Sequence, residues 1–185
     1  MRIVGGKFKS RLLATPPSSP EIRPTSDRIR ENLFNILEHR LDKGFDGRRI
    51  LDLFAGTGAF GFEALSRGAK TAVFIEESVE GRALIRTNIE TFGLTDATRI
   101  LRRDATRLGS IGTMAPFHLV FADPPYGQGS GEKAFVAALA GGWLHNEAVL
   151  VLEEARDIAI KLPENFVVDD ERHYGGTTVR LYMLS

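Results

Sequence analysis

Hydrophobic positions along the chain recur with two different spacings, which together predict alternating strands and helices. Short continuous apolar runs are typical of buried strands, whereas apolar residues three or four positions apart are typical of helices that cover one face. Strands are predicted at residues 50–54, 71–75, 98–101, 117–122 and 148–153, and helices between them at 61–67, 79–92 and 132–140. Such alternation predicts an α/β fold with a parallel sheet and helices on both faces.

The last thirty residues depart from this alternation. Residues 166–169 and 178–184 predict two further strands, joined at Gly175 and Gly176 without a helix between them. A direct turn between two neighbouring strands makes the second one run opposite to the first. The last strand is therefore expected to be antiparallel in a sheet that is otherwise mostly parallel.

The start of the chain carries a third pattern. Short apolar and basic groups alternate over the first fifteen residues and predict a small β-hairpin, and the prolines and serines that follow predict a linker. A helix capped by Thr25 or Ser26 is expected next, ending near Gly44. We therefore divide the chain into a basic hairpin and linker at 1–22 and a main domain at 23–185.

Composition narrows the possible functions. The chain has 185 residues, of which 43% are hydrophobic, enough for one substantial core. Cysteine is absent, which excludes disulfides, thiolate metal ligands and a cysteine nucleophile, and which fits a reducing cytoplasm. Without a recognisable signal peptide, membrane span or apolar seam, the chain is expected to be a soluble, cytoplasmic monomer. No metal is expected either, since metal-ligand spacing is lacking among His39, His118, His145 and His173.

Charge is distributed unevenly, although the formal net charge is zero. The first thirty residues carry seven basic and two acidic groups, so this part has a net charge of +5 and the remainder −5. A basic segment is typical of contacts with nucleic-acid phosphates, and a solvated hairpin without a partner is the alternative. The candidate RNA-binding residues are Arg2, Lys7, Lys9, Arg11, Arg23 and Arg28.

A glycine-rich turn follows the first strand and leads into a helix, at the edge where open α/β sheets bind their ligands. It contains Gly56 and Gly58, and a tight turn without a ligand is the alternative. Glu76 ends the second strand, where a carboxylate can accept hydrogen bonds from the two hydroxyls of a ribose. We expect cofactor contacts at Asp52, Phe54, Ala55, Gly56, Gly58, Glu76, Asp104, Ala105 and Asp123.

Asp52 distinguishes between the candidate cofactors. Its carboxylate would repel the pyrophosphate of a dinucleotide but would attract the positively charged amino group of S-adenosylmethionine. Asp104, just after the third strand, is placed to accept a hydrogen bond from the adenine amino group, and capping of residues 105–108 is the alternative. The acidic loop therefore favours S-adenosylmethionine.

The most specific signal is Asp123-Pro124-Pro125-Tyr126, which ends the fourth strand at the same edge. Two prolines hold a carboxylate, a carbonyl and an aromatic ring in a rigid array, and a proline-rich turn that only caps the strand is the alternative. The carboxylate and the Pro124 carbonyl can accept both N–H bonds of a planar amino group, while Tyr126 stacks on its base. This pattern predicts methyl transfer to an exocyclic amine, with these four residues as the catalytic set.

Taken together, the motifs resemble those of the class I methyltransferases, and more closely those of the RsmD family of bacterial enzymes, which methylate guanine N2 in small-subunit ribosomal RNA. The cofactor loop and the tetrapeptide are shared by many methyltransferase families, whereas the Arg-Pro-Thr segment joined to the N-terminal hairpin is particular to this one. The likeness spans nearly the whole chain and lies in residues 2–6, 23–34, 52–59, 63–69, 123–126 and 181–182.

The resemblance implies a Rossmann-like class I methyltransferase fold, with a seven-stranded, mostly parallel sheet and an antiparallel last strand. It also implies S-adenosyl-L-methionine as cofactor, S-adenosyl-L-homocysteine as product, and a catalytic role for the tetrapeptide. The implied partner is 16S ribosomal RNA, within a small ribosomal subunit or an assembly intermediate, with the basic hairpin as the RNA contact.

Three other functions remain open on the sequence. An amino-methyltransferase acting on adenine or cytosine of DNA, on another RNA or on a glutamine side chain would use a related tetrapeptide. A nicotinamide-dependent oxidoreductase would use the same sheet, although Asp52 and the two adjacent prolines argue against it. An RNA-binding module that has lost catalysis is the third.

Overall fold

The computed structural model describes residues 1–17 and 24–185, so the predictions for the end of the linker and for Arg23 lie outside the described residues. The helices and strands of the described part are α1 (Pro24–Arg40), β1 (Arg49–Leu53), α2 (Ala59–Ser66), β2 (Thr71–Ile75), α3 (Val79–Phe92), β3 (Thr98–Leu101), β4 (Phe117–Ala122), α4 (Ser130–Ala140), β5 (Leu144–Ala155), β6 (Phe166–Tyr174) and β7 (Thr177–Leu184). Strands and helices alternate from β1 to β3 and again from β4 to β5, as the hydrophobic pattern predicted, and only a 3-10 turn lies between β3 and β4.

These seven strands form one sheet in the order β3-β2-β1-β4-β5-β7-β6. All neighbouring pairs from β3 to β5 are parallel, whereas β7 lies between β5 and β6 and runs antiparallel to both. The predicted seven-stranded α/β sheet with an antiparallel last strand is confirmed. Its order reverses at β1 and β4, and open sheets bind their ligands beyond the carboxyl ends of strands at such a reversal.

Helices cover both faces of the sheet. On one face, α1, α2 and α3 pack around the phenylalanines Phe34, Phe62 and Phe121. On the other face, α4 packs around Phe135 and Trp143. Each of these aromatic side chains is almost completely buried, and burial of one large apolar side chain stabilises a fold by about 1.5–3 kcal/mol. The two cores hold the carboxyl ends of the strands in fixed positions.

Local signals in the sequence account for the bounds of α3, which are the predicted ones. The Ser78 hydroxyl accepts a 3.0 Å hydrogen bond from the main-chain nitrogen of Gly81 and so caps the first turn. Gly93 adopts a left-handed conformation with φ of 65° and ends the helix. Strand β1 ends one residue earlier than predicted, because Phe54 has a positive φ of 55° that no strand can continue through.

The bounds of α1 and β5 differ from the prediction. Helix α1 begins at Pro24, so neither Thr25 nor Ser26 occupies the predicted capping position, and it ends at Arg40 rather than near Gly44. Proline suits the first helical position because its missing N–H would be unpaired there anyway. Strand β5 begins four residues earlier than predicted, because a bulge against β4 accommodates the polar residues 145–147 within the strand.

The first fifteen residues double back on themselves but form no regular pair of strands. One antiparallel bridge joins Arg2 to Leu12, and a 3-10 turn occupies Gly6–Phe8. Main-chain hydrogen bonds also join its two arms, from the nitrogen of Ile3 to the oxygen of Arg11 at 3.0 Å and from the nitrogen of Leu13 to the oxygen of Met1 at 3.1 Å. The predicted small hairpin is therefore present, although its arms are not regular strands. Ile3 and Leu13 are buried in the same core as α1, α2 and α3, so this segment also packs against the body.

Two buried side chains of the body hold this segment in place. Oε2 of Glu63 in α2 accepts a 2.8 Å hydrogen bond from the main-chain nitrogen of Val4. The Asn88 amide in α3 accepts a 2.8 Å hydrogen bond from the nitrogen of Ala14 and donates to the carbonyl oxygen of Thr57 at 3.2 Å. The N-terminal segment is thus connected, through Asn88, to the glycine-rich loop.

Candidate active site

A cavity of about 430 Å³ lies beyond the carboxyl ends of β1, β2 and β4, where the order of the sheet reverses. Both of the sequence signals singled out at this edge, the glycine-rich loop and the tetrapeptide, contribute to its wall. The lining residues are Phe54, Ile75, Glu76, Glu77, Arg103, Ala105, Asp123, Pro124 and Pro125. The structure therefore brings six of the predicted site residues together at one cavity.

Glu76 fixes the shape of the glycine-rich loop. Its Oε2 accepts a 2.7 Å hydrogen bond from the nitrogen of Gly56, and its Oε1 accepts a 2.8 Å hydrogen bond from the nitrogen of Ser78. Gly56 has a positive φ of 56°, and a Cβ there would approach nothing more closely than the Phe54 oxygen at 4.0 Å. The loop therefore borders open space, and each Glu76 oxygen keeps a lone pair for a further donor.

Gly58 does not line this cavity and instead allows helix α2 to begin close to the sheet. Its φ is 79°, and a Cβ at this position would come within 2.7 Å of the Phe62 ring and 2.9 Å of the Phe74 ring. Only a residue without a side chain allows α2 to begin this close to the sheet. Gly58 thus lets α2 approach the sheet closely. Ala55, three residues earlier, lines a second and smaller cavity at the same edge of the sheet.

Asp52 is buried beneath the loop. Its Oδ2 accepts a 2.9 Å hydrogen bond from the nitrogen of Gly61 in α2, and it lines neither cavity of the site. Burial raises the pKa of the Asp52 carboxyl well above its usual value; the hydrogen bond from Gly61 opposes this, and the nearby carboxylates of Asp123 and Glu76 add to it. Asp52 thus supports the loop through its hydrogen bond to the start of α2, and a direct contact between Asp52 and a cofactor stays a prediction.

Asp104 caps the 3-10 turn at Ala105–Arg107, which is the alternative that the sequence left open. Its Oδ1 accepts hydrogen bonds from the Thr106 nitrogen at 2.8 Å and from the Thr106 hydroxyl at 2.7 Å. These bonds from the Thr106 hydroxyl and nitrogen lower the pKa of the Asp104 carboxyl. The contact between Asp104 and an adenine amino group stays a prediction, while the adjoining Ala105 faces the cavity.

The second cavity, of about 220 Å³, lies on the other side of Phe54 and Asp123, which line both cavities. This cavity lies between the glycine-rich loop, α1 and the start of the chain. The sequence motifs did not predict that α1 and the start of the chain contribute to the site. Its lining residues are Met1, Ile29, Arg30, Phe54, Ala55, Gly56, Thr57, Ala59, Phe60, Asp123 and Glu153. Asp123 therefore stands at the junction of two spaces.

Asp123 lines both cavities and is exposed. Its surroundings remove part of its hydration and raise the pKa of the carboxyl above its usual value, and the negative charges of Glu153 and Glu154 raise it further. A cation bound in either cavity would oppose this shift and favour the ionised carboxylate. The raised pKa therefore marks Asp123 as a group whose charge responds to what is bound.

Glu153 and Glu154 at the end of β5 belong to the site, although we did not predict them from the sequence. The Tyr126 hydroxyl donates a 2.9 Å hydrogen bond to Glu153 Oε1 and lies 3.2 Å from the Thr177 hydroxyl. Glu154 is buried, and its Oε1 accepts a 3.1 Å hydrogen bond from the nitrogen of Gly127. The sequence feature that could have identified them is their position, because both acids lie near the carboxyl end of a strand, as the tetrapeptide does.

The predicted RNA-binding residues separate into two groups, apart from Arg23, which lies outside the described residues. Arg2, Lys9 and Arg28 line a surface cavity of about 420 Å³, together with the acidic side chains of Asp27 and Glu31. The other two, Lys7 and Arg11, lie over aromatic rings instead: Lys7 is 4.6 Å from the centre of Phe8, and Arg11 is 4.7 Å from that of Phe92. A cluster of basic groups thus exists around the bridge between Arg2 and Leu12.

Among residues 1–17 and 24–185, no group of three or more histidine, aspartate or glutamate side chains is arranged to hold a metal ion. None of the helices described there has the length and apolar character needed to cross a membrane.

The reversed β7 in this strand order, and the cavity shared by a glycine-rich loop and the Asp123 turn, define a class I methyltransferase. The profile of the family described as conserved hypothetical protein 95 matches residues 1–183. The chain belongs to this family, which is the RsmD family that its motifs resemble.

Individual relatives agree with this assignment. The chain is 36% identical over 184 residues to ribosomal RNA small subunit methyltransferase D of Escherichia coli, an alignment that covers 98% of this chain and 89% of that protein. It is 32% identical over 187 residues to the putative rRNA methyltransferase YlbH of Bacillus subtilis, with 98% of both covered. The solved structure of the putative methyltransferase yhhF from Escherichia coli superposes with a TM-score of 0.84 at 30% identity, covering 100% of this chain and 98% of that one.

Proposed function

We propose that this protein transfers a methyl group from S-adenosylmethionine to the exocyclic N2 amine of a guanine in 16S ribosomal RNA. The observation that carries the proposal is the position of Asp123 between two cavities, one of which also contains Glu76 and Ala105. A methyl donor and a methyl acceptor must meet at one place, and Asp123 can contact a molecule on either side.

The site residues fit S-adenosylmethionine, which supplies an electrophilic methyl group when bound. Glu76 keeps lone pairs for two ribose hydroxyls, and the open space beside Gly56 lets a ligand approach the main chain. The carboxyl groups of Asp52, Glu76 and Asp123 lie close enough for their charges to interact, and a cofactor with a positive sulfur and a positive amino group would favour their ionised forms. We therefore propose that the residues predicted for cofactor binding form this site.

Asp123 and Pro124 would orient the acceptor amine. The nitrogen lone pair of such an amine is delocalised into the ring, so the amine is a weak nucleophile without help. Acceptance of its two N–H bonds by the Asp123 carboxylate and the Pro124 carbonyl would turn the lone pair towards the methyl group and stabilise the positive charge that develops on nitrogen. Tyr126, of which 44% is exposed, offers a ring face on which the base can stack.

Ribosomal RNA as the substrate is supported by the named relatives and by the basic N-terminal segment. The Escherichia coli relative is named a ribosomal RNA small subunit methyltransferase, and it aligns with 98% of this chain. Arg2, Lys9 and Arg28 surround one surface cavity, where they can contact phosphates. We propose that residues 1–22 provide the RNA contact and that residues 23–185 provide the methyltransferase domain.

The test is to incubate the protein with radiolabelled S-adenosylmethionine and bacterial small ribosomal subunits that lack the modification, and then to identify the labelled nucleoside. Label in N2-methylguanosine of 16S ribosomal RNA is the expected result. Label in a methylated adenine or cytosine would keep the catalytic set and overturn the substrate. No label in any nucleic acid would overturn the proposed function and direct the search to protein substrates.

A further inference from the structure

Glu153 lies beside Asp123 at the edge of the sheet. Strands β4 and β5 are parallel, and Ala122 at the end of β4 pairs with Leu152 of β5. The residues that follow this pair are Asp123 and Glu153. Neighbouring strands are about 4.8 Å apart, and residues in register point to the same side of the sheet. Both carboxylates line the second cavity, and the charge of Glu153 acts on Asp123.

The contacts of Glu153 hold its carboxylate in place without using all of its acceptor positions. Tyr126 donates to Oε1. Burial raises the pKa of the Glu153 carboxyl above its usual value, and this hydrogen bond opposes the rise and favours the ionised form. The other oxygen, Oε2, has no recorded partner among the described residues, and the side chain faces the cavity. A carboxylate accepts hydrogen bonds and donates none, so this position can recognise only an N–H or O–H group on a ligand.

The bases that carry an exocyclic amine differ in the atom next to that amine. In guanine, the ring nitrogen N1 beside the N2 amine carries a hydrogen. In adenine and cytosine, the ring nitrogen beside the amine has a lone pair, and in a glutamine side chain the neighbour is a carbonyl oxygen. A second carboxylate next to the one that binds the amine therefore attracts guanine and repels the other three.

We propose that Glu153 determines the specificity for guanine by accepting a hydrogen bond from N1–H while Asp123 accepts one from the N2 amine. This inference rests on the proposed function, and it names the group that distinguishes guanine from other amine-bearing substrates. Sites that hydrogen-bond a substrate group reject analogues that lack it, because the polar group of the site is then left unpaired.

The experiment compares two bases at the methylated position. Small subunits are reconstituted with synthetic 16S ribosomal RNA that carries either guanine or 2-aminopurine there; 2-aminopurine keeps the amine but has a lone pair on N1. The wild-type protein should methylate guanine with a much larger kcat/KM. Glu153→Gln should lower kcat/KM for guanine by about 10- to 100-fold, the usual effect of losing a hydrogen bond to a charged group. Because its amide can donate to N1, activity on 2-aminopurine should stay constant or rise.

The matched control is Glu147→Gln, an exposed glutamate at the opposite end of β5, which should leave both values unchanged. Thermal unfolding and the affinity for S-adenosylhomocysteine would show that Glu153→Gln is folded. If Glu153 had only a structural role, Glu153→Gln would lower kcat/KM for both bases alike, and that result would overturn the inference. Equal wild-type activity on both bases would also overturn it, without any variant. Absence of guanine methylation by the wild-type protein would instead refute the proposed function itself.

Discussion

The main-chain nitrogen of Gly56 donates a 2.7 Å hydrogen bond to Oε2 of Glu76, which fixes the loop after β1 to the end of β2. Two parts of the proposed cofactor site, distant in sequence, therefore depend on one carboxylate. Because the same carboxylate is proposed to bind the ribose, its loss should affect the loop and the ligand together.

We expect Glu76→Ala to weaken the binding of S-adenosylhomocysteine by about 10- to 100-fold, since hydrogen bonds to a charged group contribute about 1.5–3 kcal/mol. Isothermal titration calorimetry measures this loss. Glu80→Ala, which removes an exposed acid from the first turn of α3, is the control and should bind nearly as well as the wild type. Equal affinities for all three proteins would show that Glu76 makes no ribose contact.

Asp123→Asn should lower kcat for methyl transfer by at least about 100-fold, because it removes the charge that faces the developing positive nitrogen. The affinity for S-adenosylhomocysteine should change far less, since this product lacks the positive sulfur. A variant that keeps more than a tenth of wild-type kcat would remove Asp123 from the catalytic set.

The affinity for S-adenosylmethionine should rise with pH until the pH passes the pKa of Asp123 in the free protein, which is about 8. Its positive sulfur favours ionised carboxylates, and the pKa of Asp123 is raised by partial loss of hydration and by Glu153 and Glu154. Below this raised pKa Asp123 is mostly protonated and uncharged, so it does not attract the cation. Binding therefore strengthens as the pH increases through the pKa of Asp123. Titrations at several pH values should show a smaller rise for S-adenosylhomocysteine, and parallel curves for the two ligands would contradict the explanation.

Asp52→Asn should stabilise the protein, and more so at higher pH. Burial raises the pKa of Asp52 in the folded state. Above the unfolded pKa of about 3.9, the unfolded chain loses a proton that the folded protein keeps, so the folded state becomes less stable relative to the unfolded state. This destabilisation grows with pH until the folded pKa is reached. Asparagine keeps an oxygen for the Gly61 nitrogen but carries no charge. Thermal unfolding at pH 5 and pH 8 should therefore show a larger gain at the higher pH; a gain that shrinks with pH would mean that Asp52 is ionised at little cost.

Glu63→Ala should lower the free energy of unfolding by about 3–5 kcal/mol, as expected when a buried ion pair loses one partner. Glu63 Oε1 lies 2.9 Å from Arg67 Nε, Oε2 lies 3.8 Å from Arg30 Nε, and Oε2 also accepts from the Val4 nitrogen. Urea denaturation measures the change, with the exposed Glu90→Ala as control. The first fifteen residues should also become more susceptible to proteolysis, and unchanged cleavage would show that the core contacts of Ile3 and Leu13 suffice.

Replacing Lys9 and Arg28 with alanine should weaken RNA binding and reduce its salt dependence, because the slope of log K against log salt falls by about 0.7–0.9 for each lost phosphate contact. Both side chains line the surface cavity beside Arg2. Lys133→Ala, an exposed lysine on α4, should leave the slope unchanged. A double variant with the wild-type slope would exclude this cluster from the RNA contact.

Much of the fold could be predicted because hydrophobic spacing reports directly on burial. The bounds of β2, α3, β3 and β4 are those predicted, and their apolar residues lie in the two cores. The end of β1 could not be predicted to the residue, because the positive φ of Phe54 depends on the loop and not on residue preference. Main-chain hydrogen bonds pair the two arms of the predicted hairpin, but the arms are not regular strands, because a 3-10 turn interrupts them and Ile3 and Leu13 pack into the core of the body.

For the site, main-chain turns and carboxylates at strand ends were predictable, whereas contacts between distant strands were not. Glu76 and Asp123 could be recognised because each follows a buried strand at the ligand-binding edge. Glu153 and Glu154 look like ordinary solvated acids until β5 is placed beside β4. Arg30 is one of the seven basic groups counted in the first thirty residues, and its place on the cavity wall depends on how α1 packs.

The insertion of β7 between β5 and β6 makes the order of assembly differ from the order of synthesis. Strand β6 pairs with β7 and not with β5, so it cannot take its place in the sheet until residues 177–184 have been synthesised. The same residues pair with Glu153 and Glu154, which face Val179 and Thr178. The part of the proposed acceptor site formed by Glu153 and Glu154 therefore depends on a strand that is synthesised after every other strand of the sheet.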